Sequence, residues 1–575
     1  MKYLKVLTGF FALSLMLSAC DGDFLQRTPL DAVTEVSYFS HPNDLRTYVN
    51  RFYSNSYFPR YGNHGSDFDS DNQVTTTPNS RLRGTRTINT TGSIGFANVR
   101  SINYFFDNYE KVAENHALEE YQQYLGEAHF FRALIYFNLL KSYGDIQWID
   151  TELGTTSEEL YNPRDPRDLV ADNIIASLDS AAVYLTEDRT SGAGRVNKWM
   201  ALLMQSRIAL YEGSWQKYHD GTPFGVENAD PEKYFRKAAE AAQQVMDSGL
   251  YQVYSTGDPE TDYKELFSLQ DYSSNDEVMF WRKYDNELTR GQQAFTNDRN
   301  FRMETPTGKT ITKQLADAYL AIDGAPISLS PLFEGHGSLE DEMQNRDPRF
   351  YQTIATPDQV WRIHEDGEVE YWSEVYDNLN TSSDLNAPTG YVIQKGYNPD
   401  MRFHTQQYEE TPSILYRYGE VLLNYAEAMA ELGELSQDDL DNTVNQLRER
   451  VGMPPLVVGG FDVDPDSPFQ DLDPLLQEIR RERRVELALE GFRWDDIARW
   501  AAADELIVGD RPKGFHASQL DENPYTVDED GFLDPFQTIM PDGWGFELGR
   551  DYLNSIPLTE IALNPDNLEQ NPGWQ

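Results

Sequence analysis

Residues 478–500 read EIRRERRVELALEGFRWDDIARW. Glu478, Glu482, Glu486 and Glu490 recur every four residues, so on a helix they stand on one face. Like charges at that spacing cost ~0.2–0.5 kcal/mol per pair unless cations answer them. Arg481 and Arg483 lie three residues from members of the stripe, and Arg417, Arg448 and Arg493 lie in neighbouring helical segments. The stripe could be an acid/base site. The favoured reading is a charged network that locks helices together, because a paired charge can be carried between helices while an unpaired one is costly.

Outward from this stretch the chain reads as mainly helical. Tyr121, Tyr124, Leu125, Ala128, Phe131, Ile135 and Leu139 recur at spacings of three and four, the pattern of a buried helical face. Val170–Leu185, Trp199–Leu210 and Tyr234–Val245 carry three more such stripes, the last ended by Ser248-Gly249. Small alanines facing large aromatics suggest tetratricopeptide-like helix pairs, although long insertions blur any period. Further helices are predicted over Ser413–Leu432, Asp438–Val451 and Pro474–Glu490. Residues 249–411 are mixed, with strand-like runs at Val278–Trp281 and Tyr391–Ile393. Gly62–Gly95 is rich in Gly, Asn, Thr and Asp and reads as long surface loops, which are usually functional in a compact protein.

The 575 residues are enough for a large core, and the formal charge is −47. That excludes a generic nucleic-acid binder, which needs a basic face. The acids are spread along the chain rather than gathered in a tail, so the surface is broadly acidic. The start is different in kind. Lys2 and Lys5 precede the apolar Val6–Leu17, and Leu17-Ser18-Ala19-Cys20 closes the run with the chain's single cysteine. This is a secretory signal peptide over residues 1–19, too short to span a bilayer. Its end resembles a bacterial lipobox, which makes Cys20 the acylated first residue of the mature chain, with fatty acyl groups such as palmitate as its anchor. With that thiol consumed there is no disulfide, thiolate metal site or cysteine nucleophile.

Five segments in order carry a family resemblance: Glu127–Ile146 (EAHFFRALIYFNLLKSYGDI), Arg417–Leu432 (RYGEVLLNYAEAMAEL), Asn445–Pro455 (NQLRERVGMPP), Glu478–Trp500 and Ser555–Trp574 (SIPLTEIALNPDNLEQNPGW). Behind a lipobox, they resemble the SusD/RagB family of outer-membrane nutrient-binding lipoproteins. The resemblance covers essentially the whole mature chain: an N-terminal part, 20–230, and a C-terminal part, 231–575, with an insertion at 250–411 and helices at 413–504. It implies a mainly α fold of tetratricopeptide-like helix pairs with loop-rich insertions. It also implies a non-enzymatic, lipid-anchored protein on the outer membrane, which captures oligosaccharide or, in some branches, peptide. The implied partner is a SusC-like TonB-dependent transporter. The alternatives are a surface glycoside hydrolase and a purely structural helical adaptor.

Sugar binding needs flat aromatic faces for C–H groups and planar polar groups for hydroxyls. The candidates are Tyr57 and Tyr61 (with Phe58 between), Asp67, Asp69, Asp71 and Asn72, then Trp281, Trp361, Tyr371 and Trp372. Trp361 and Trp372 sit in a polar, acid-rich context, which favours them as platforms. Asp67-Phe68-Asp69-Ser70-Asp71 alternates carboxylates as a calcium loop does, but Asn72 and Pro78 stand where an EF-hand needs Gly and Glu. Asp462, Asp464 and Asp466 alternate likewise. No cofactor is implied, and a looser structural calcium site stays open. The nine histidines form no HExxH, and there is no GxSxG, GxGxxG or Walker loop, so no catalytic residue is assigned.

Overall fold

The computed structural model describes residues 38–59, 67–68, 70–189, 194–288, 299–405, 408–520 and 523–574. Helices dominate. Those that build the body are α1 (Pro42–Val49), α2 (Ala97–Phe106), α3 (Leu118–Tyr143), α4 (Arg167–Tyr184), α5 (Lys198–Tyr218), α6 (Pro231–Asp247), α7 (Tyr418–Glu431), α8 (Val444–Arg450), α9 (Pro474–Glu486) and α10 (Arg493–Arg499). Successive helices α3 to α6 pack on one another, and α7 packs on both α6 and α9.

Local chemistry sets these boundaries. The Asn197 side chain accepts from the Met200 amide to cap α5, and Asp230 accepts from Lys233 to cap α6 behind Pro231. Gly144, at φ 72°, ends α3 in a conformation few side chains adopt. Close helix approach accounts for two further glycines. A Cβ on Gly126 would meet Leu185 at 2.8 Å, and one on Gly213 would meet Phe235 at 2.9 Å. The buried Ala238, Ala241 and Ala242 of α6 allow the same closeness, which is the small-against-large packing read from the sequence. A single hydrophobic core joins these helices to α7 and to the C-terminal tail, so residues of both predicted parts share it.

Strands are few and short. β1 (Gln73–Thr75) pairs antiparallel with β3 (Lys309–Ile311), β2 (Val278–Arg282) with β6 (Ser413–Arg417), and β4 (Val360–Ile363) with β5 (Val369–Tyr371). Several boundaries depart from the sequence reading. Ser413–Arg417 is strand because β2 lies beside it, and helix begins only at Tyr418. Asp438–Val451 is split at Thr443, whose φ of −131° and ψ of −93° break the helix. Helix α9 stops at Glu486, since Leu489 at φ 66° and Gly491 at φ 82° turn the chain. Tyr391–Ile393 makes only an isolated bridge, Ile393 to Ile354. The stretch read as surface loop includes buried Asp67 and Ser70–Val74, drawn inward by partners distant in sequence.

Candidate functional site

The glutamate stripe is fully answered. Glu478 and Glu482 accept from Arg448 at 2.7 and 2.9 Å, and Glu482 also accepts from Arg349 at 2.6 Å. Glu486 receives Arg349, Arg417 and Arg450 at 2.7–3.0 Å. Glu490 takes Arg417 at 2.7 and 2.8 Å and Lys395 at 2.8 Å. All these groups are buried. Burial alone would raise the Glu482, Glu486 and Glu490 carboxyls, but the cations outweigh it and hold all three below the ordinary carboxylate range. Burial holds Lys395 down to about 8 in spite of Glu490. This is the locking network expected from the sequence, and no face of the stripe is left for acid/base chemistry.

The network reaches further than the stripe. Buried Glu277 accepts from Arg417 at 2.9 Å and from the Tyr254 amide at 2.8 Å, and its own carbonyl receives the Tyr418 amide at 2.8 Å. Glu277 directly precedes β2. The helical lock is therefore bolted to one end of the ribbon whose other end, Trp281–Lys283, borders an open cleft.

That cleft is about 760 Å³ and lies between the segment 50–58, Arg189 with residues 194–197, and β2. Its aromatic lining is Tyr53, Phe58, Tyr272, Phe280 and Trp281. The β2–β6 register shifts on both sides of Phe280, and such a bulge re-aims side chains so that consecutive residues can border one space. Phe58 anchors the wall by tilting against Phe280 at 5.0 Å, and Tyr272 meets the Trp281 ring edge-on at 5.7 Å. Arg195 lies 5.1 Å over the Tyr53 ring and is held by Glu127. The Tyr53 hydroxyl receives the Val196 amide at 3.0 Å, and burial with Glu127 nearby pushes it well above its usual range. Cationic side chains complete the rim, and no carboxylate is among the described lining residues.

A second depression of about 620 Å³ is bounded by Arg480, Arg481, Arg484 and Arg493 with Asp71 and Asp464 among their counter-ions. It offers few flat rings, and its charges are largely spent on each other.

Of the sequence-predicted ligand residues, Trp281 lines the cleft. The others fall elsewhere. Tyr57, within the segment 50–58 but outside the lining, is half-buried, and its hydroxyl accepts from Asn98 at 3.1 Å. Trp372 has 0% of its surface exposed and Trp361 7%; the two rings pack 6.0 Å apart in a small core with Tyr397. Trp372 has no exposed face to stack on a sugar and Trp361 almost none, so these two tryptophans hold the insertion together instead. Trp361 Nε1 also donates to the Glu304 carbonyl at 2.8 Å.

Asp67 and Asn72 are likewise buried structural groups. Asp67 accepts from the Leu489 amide at 2.8 Å, the Gly491 amide at 2.9 Å and Asn72 Nδ2 at 3.1 Å, clamping the turn after α9. Asn72 Oδ1 takes Arg484 at 2.8 Å. Asp71 pairs with Arg484 and Arg493 at 2.7–2.8 Å. Asp67 and Asp71 are thus engaged by protein donors, which leaves these two carboxylates little to offer a cation. Tyr61, Asp69 and Cys20 lie outside the described residues. Sequence reasoning passed over Tyr53, Tyr272, Phe280 and the basic Arg282-Lys283 pair; the run Trp281-Arg282-Lys283 was the available signal.

Comparison with known proteins accords with this architecture. The SusD family model matches residues 266–574, and the chain belongs to that family. A SusD-like protein of Formosa agariphila, P2, is 24% identical over 454 residues, covering 78% of this chain and 73% of its own length. A second from the same organism, P38, is 24% identical over 399 residues, covering 67% and 68%. Among solved structures, a SusD-like carbohydrate-binding protein from Bacteroides fragilis superposes with a TM-score of 0.67 at 21% identity, covering 92% of this chain and all of its own. A laminarin-binding SusD-like protein gives 0.58 at 19% identity, covering 93% and 100%. The shared fold is mainly helical, and no helix among the described residues is long and apolar enough to cross a membrane.

Proposed function

We propose that this protein is a cell-surface glycan-binding lipoprotein, anchored to the outer membrane through acylated Cys20. It captures oligosaccharide in the cleft beside β2 and delivers it to a SusC-like TonB-dependent transporter. The observation that carries this reading is the aromatic cleft at Trp281, opening beside the rigid helical body of a SusD-family chain. Stacking on such rings is tolerant of linkage, and one aromatic anchor can supply a large share of a modest affinity. A receptor that must release its cargo needs a Kd on the order of μM to mM, ~−8 to −4 kcal/mol.

The role proposed is capture and delivery rather than catalysis. Glycoside hydrolysis needs two carboxylates flanking the bond, and the described lining of the cleft supplies none. Delivery without cleavage fits a binding surface.

Retention in polysaccharide-containing native gels tests the proposal. The protein should be slowed by at least one glycan, Trp281→Ala should abolish that retardation, and prolonged incubation should release no reducing ends. Release of reducing ends would make it a hydrolase, and failure to bind any glycan while binding peptide would move it to the peptide-binding branch. Cys20→Ala should give a folded, ligand-competent protein that leaves the membrane fraction; continued membrane partition without a partner would refute the anchor.

A further inference from the structure

The cleft's charge runs against the molecule's. The chain has 95 acidic residues and 48 Lys and Arg, yet the cleft is bordered by Arg189, Arg195, Arg282 and Lys283 with no carboxylate among its described lining. Two of these cations are spoken for, Arg189 by Asp276 and Arg195 by Glu127. The other two differ. Arg282 donates to neutral acceptors, Asn55 Oδ1 and the Phe58 carbonyl, the latter at 3.0 Å. Lys283 is exposed, with Asp271 in its electrostatic reach but outside the lining. Both follow Trp281 directly in sequence.

We infer that the glycan taken by this cleft is anionic, bearing carboxylate or sulfate groups that Arg282 and Lys283 answer while a sugar ring lies against Trp281. The inference rests on the glycan-binding reading above and narrows it. Guanidinium and ammonium groups only donate hydrogen bonds. A neutral sugar presents hydroxyls that must also donate, and carboxylates are the side chains that best receive them. An acidic group only accepts, so a rim of donors suits it. The surrounding charge sharpens the choice. A surface at −47 repels a polyanion nearly everywhere, so a cation-rimmed cleft is where such a chain is drawn in. Retention by a polyanion therefore reports a local site and not a general attraction.

The test is native affinity electrophoresis of the mature chain in gels containing alginate, polygalacturonate, carrageenan or dextran sulfate. Gels with laminarin, xyloglucan, dextran or methyl-esterified pectin serve as neutral counterparts. The expected result is retardation by at least one acidic glycan, weakening as salt is added. Uronate against sulfate gels tells which acid group is read. Lys283→Gln should weaken binding several-fold with an unchanged melting temperature, and Lys283→Glu should weaken it more. Arg282→Gln should weaken it too, although this variant also loses the Asn55 and Phe58 contacts, so the exposed Lys283 decides. Retention by neutral glycans alone would overturn the anionic assignment and leave the glycan reading standing. So would acidic retention indifferent to salt and to both Lys283 variants. Retention in none of the gels would instead remove the glycan reading itself.

Discussion

The α9 network and the β2 cleft use the same side chains to opposite ends. In the network, arginine and glutamate are matched group for group: Arg417 alone serves Glu277, Glu486 and Glu490, and every carboxylate of the stripe has at least one cation. In the cleft, the half-buried Tyr53 and Trp281 rings and the cations border open space, and two of the cations lack a carboxylate in hydrogen-bond contact among the described residues. The first arrangement is closed and can only hold the chain; the second has unspent capacity and can receive something. Glu277 joins them, since it is part of the network and directly precedes the strand that ends at Trp281-Arg282, just before Lys283.

The comparison breaks most visibly if the network is opened. Arg417→Ala leaves Glu277, Glu486 and Glu490 buried with a missing partner, a change that costs ~3–5 kcal/mol. Denaturant unfolding should show that loss, and a variant with near-wild-type stability would mean the charges are hydrated and the lock is not one. Trp372→Ala comes next. Emptying a fully buried tryptophan site costs ~3–5 kcal/mol, and the folded fraction should keep its glycan retention. Lost retention with unchanged stability would return Trp372 to the ligand surface.

Acid should act more gradually. The carboxyls of Glu482, Glu486 and Glu490 have folded values below the ordinary 4.5. Their contribution is therefore complete above about pH 4.5 and is lost as pH falls through the folded values. Glu409 has the opposite sign. Burial raises it to about 7, so the folded state holds its proton where the unfolded chain does not. It favours folding below about 4.5 and loses that contribution as pH rises towards 7. Stability should thus be higher at pH 5 than at pH 7 and fall progressively as pH drops below about 4.5. Glu482→Gln should flatten the acid limb, and an acid limb unchanged by that substitution would exclude the stripe as its source.

Legibility in the sequence followed the range of the interactions. The four-residue glutamate spacing is local, so the shared face could be read directly; of its partners Arg417, Arg448 and Arg481 were named, while Arg349, Arg450 and Lys395 were not. Helix stripes in α3 to α6 were legible for the same reason. Tryptophans 361 and 372 misled because their neighbours in sequence are polar, whereas their neighbours in space are each other, Tyr397 and Val392. Asp67 and Asp71 imitated a cation loop because their partners, Leu489, Gly491 and Arg493, lie more than 400 residues away. The cleft was half legible. Trp281 stood out as an aromatic, but its basic neighbours acquire meaning only once the chain brings Tyr53 and Phe58 across from β2.

The most direct measurement pairs thermal melts with glycan retention for Trp281→Ala, Trp372→Ala and Arg417→Ala in one series. Trp281→Ala should lose retention with a melting temperature close to wild type, while the other two should melt markedly lower and still bind when folded. Retention undiminished in Trp281→Ala, or lost in a fully stable Arg417→Ala, would contradict the division between a closed lock and an open receptor.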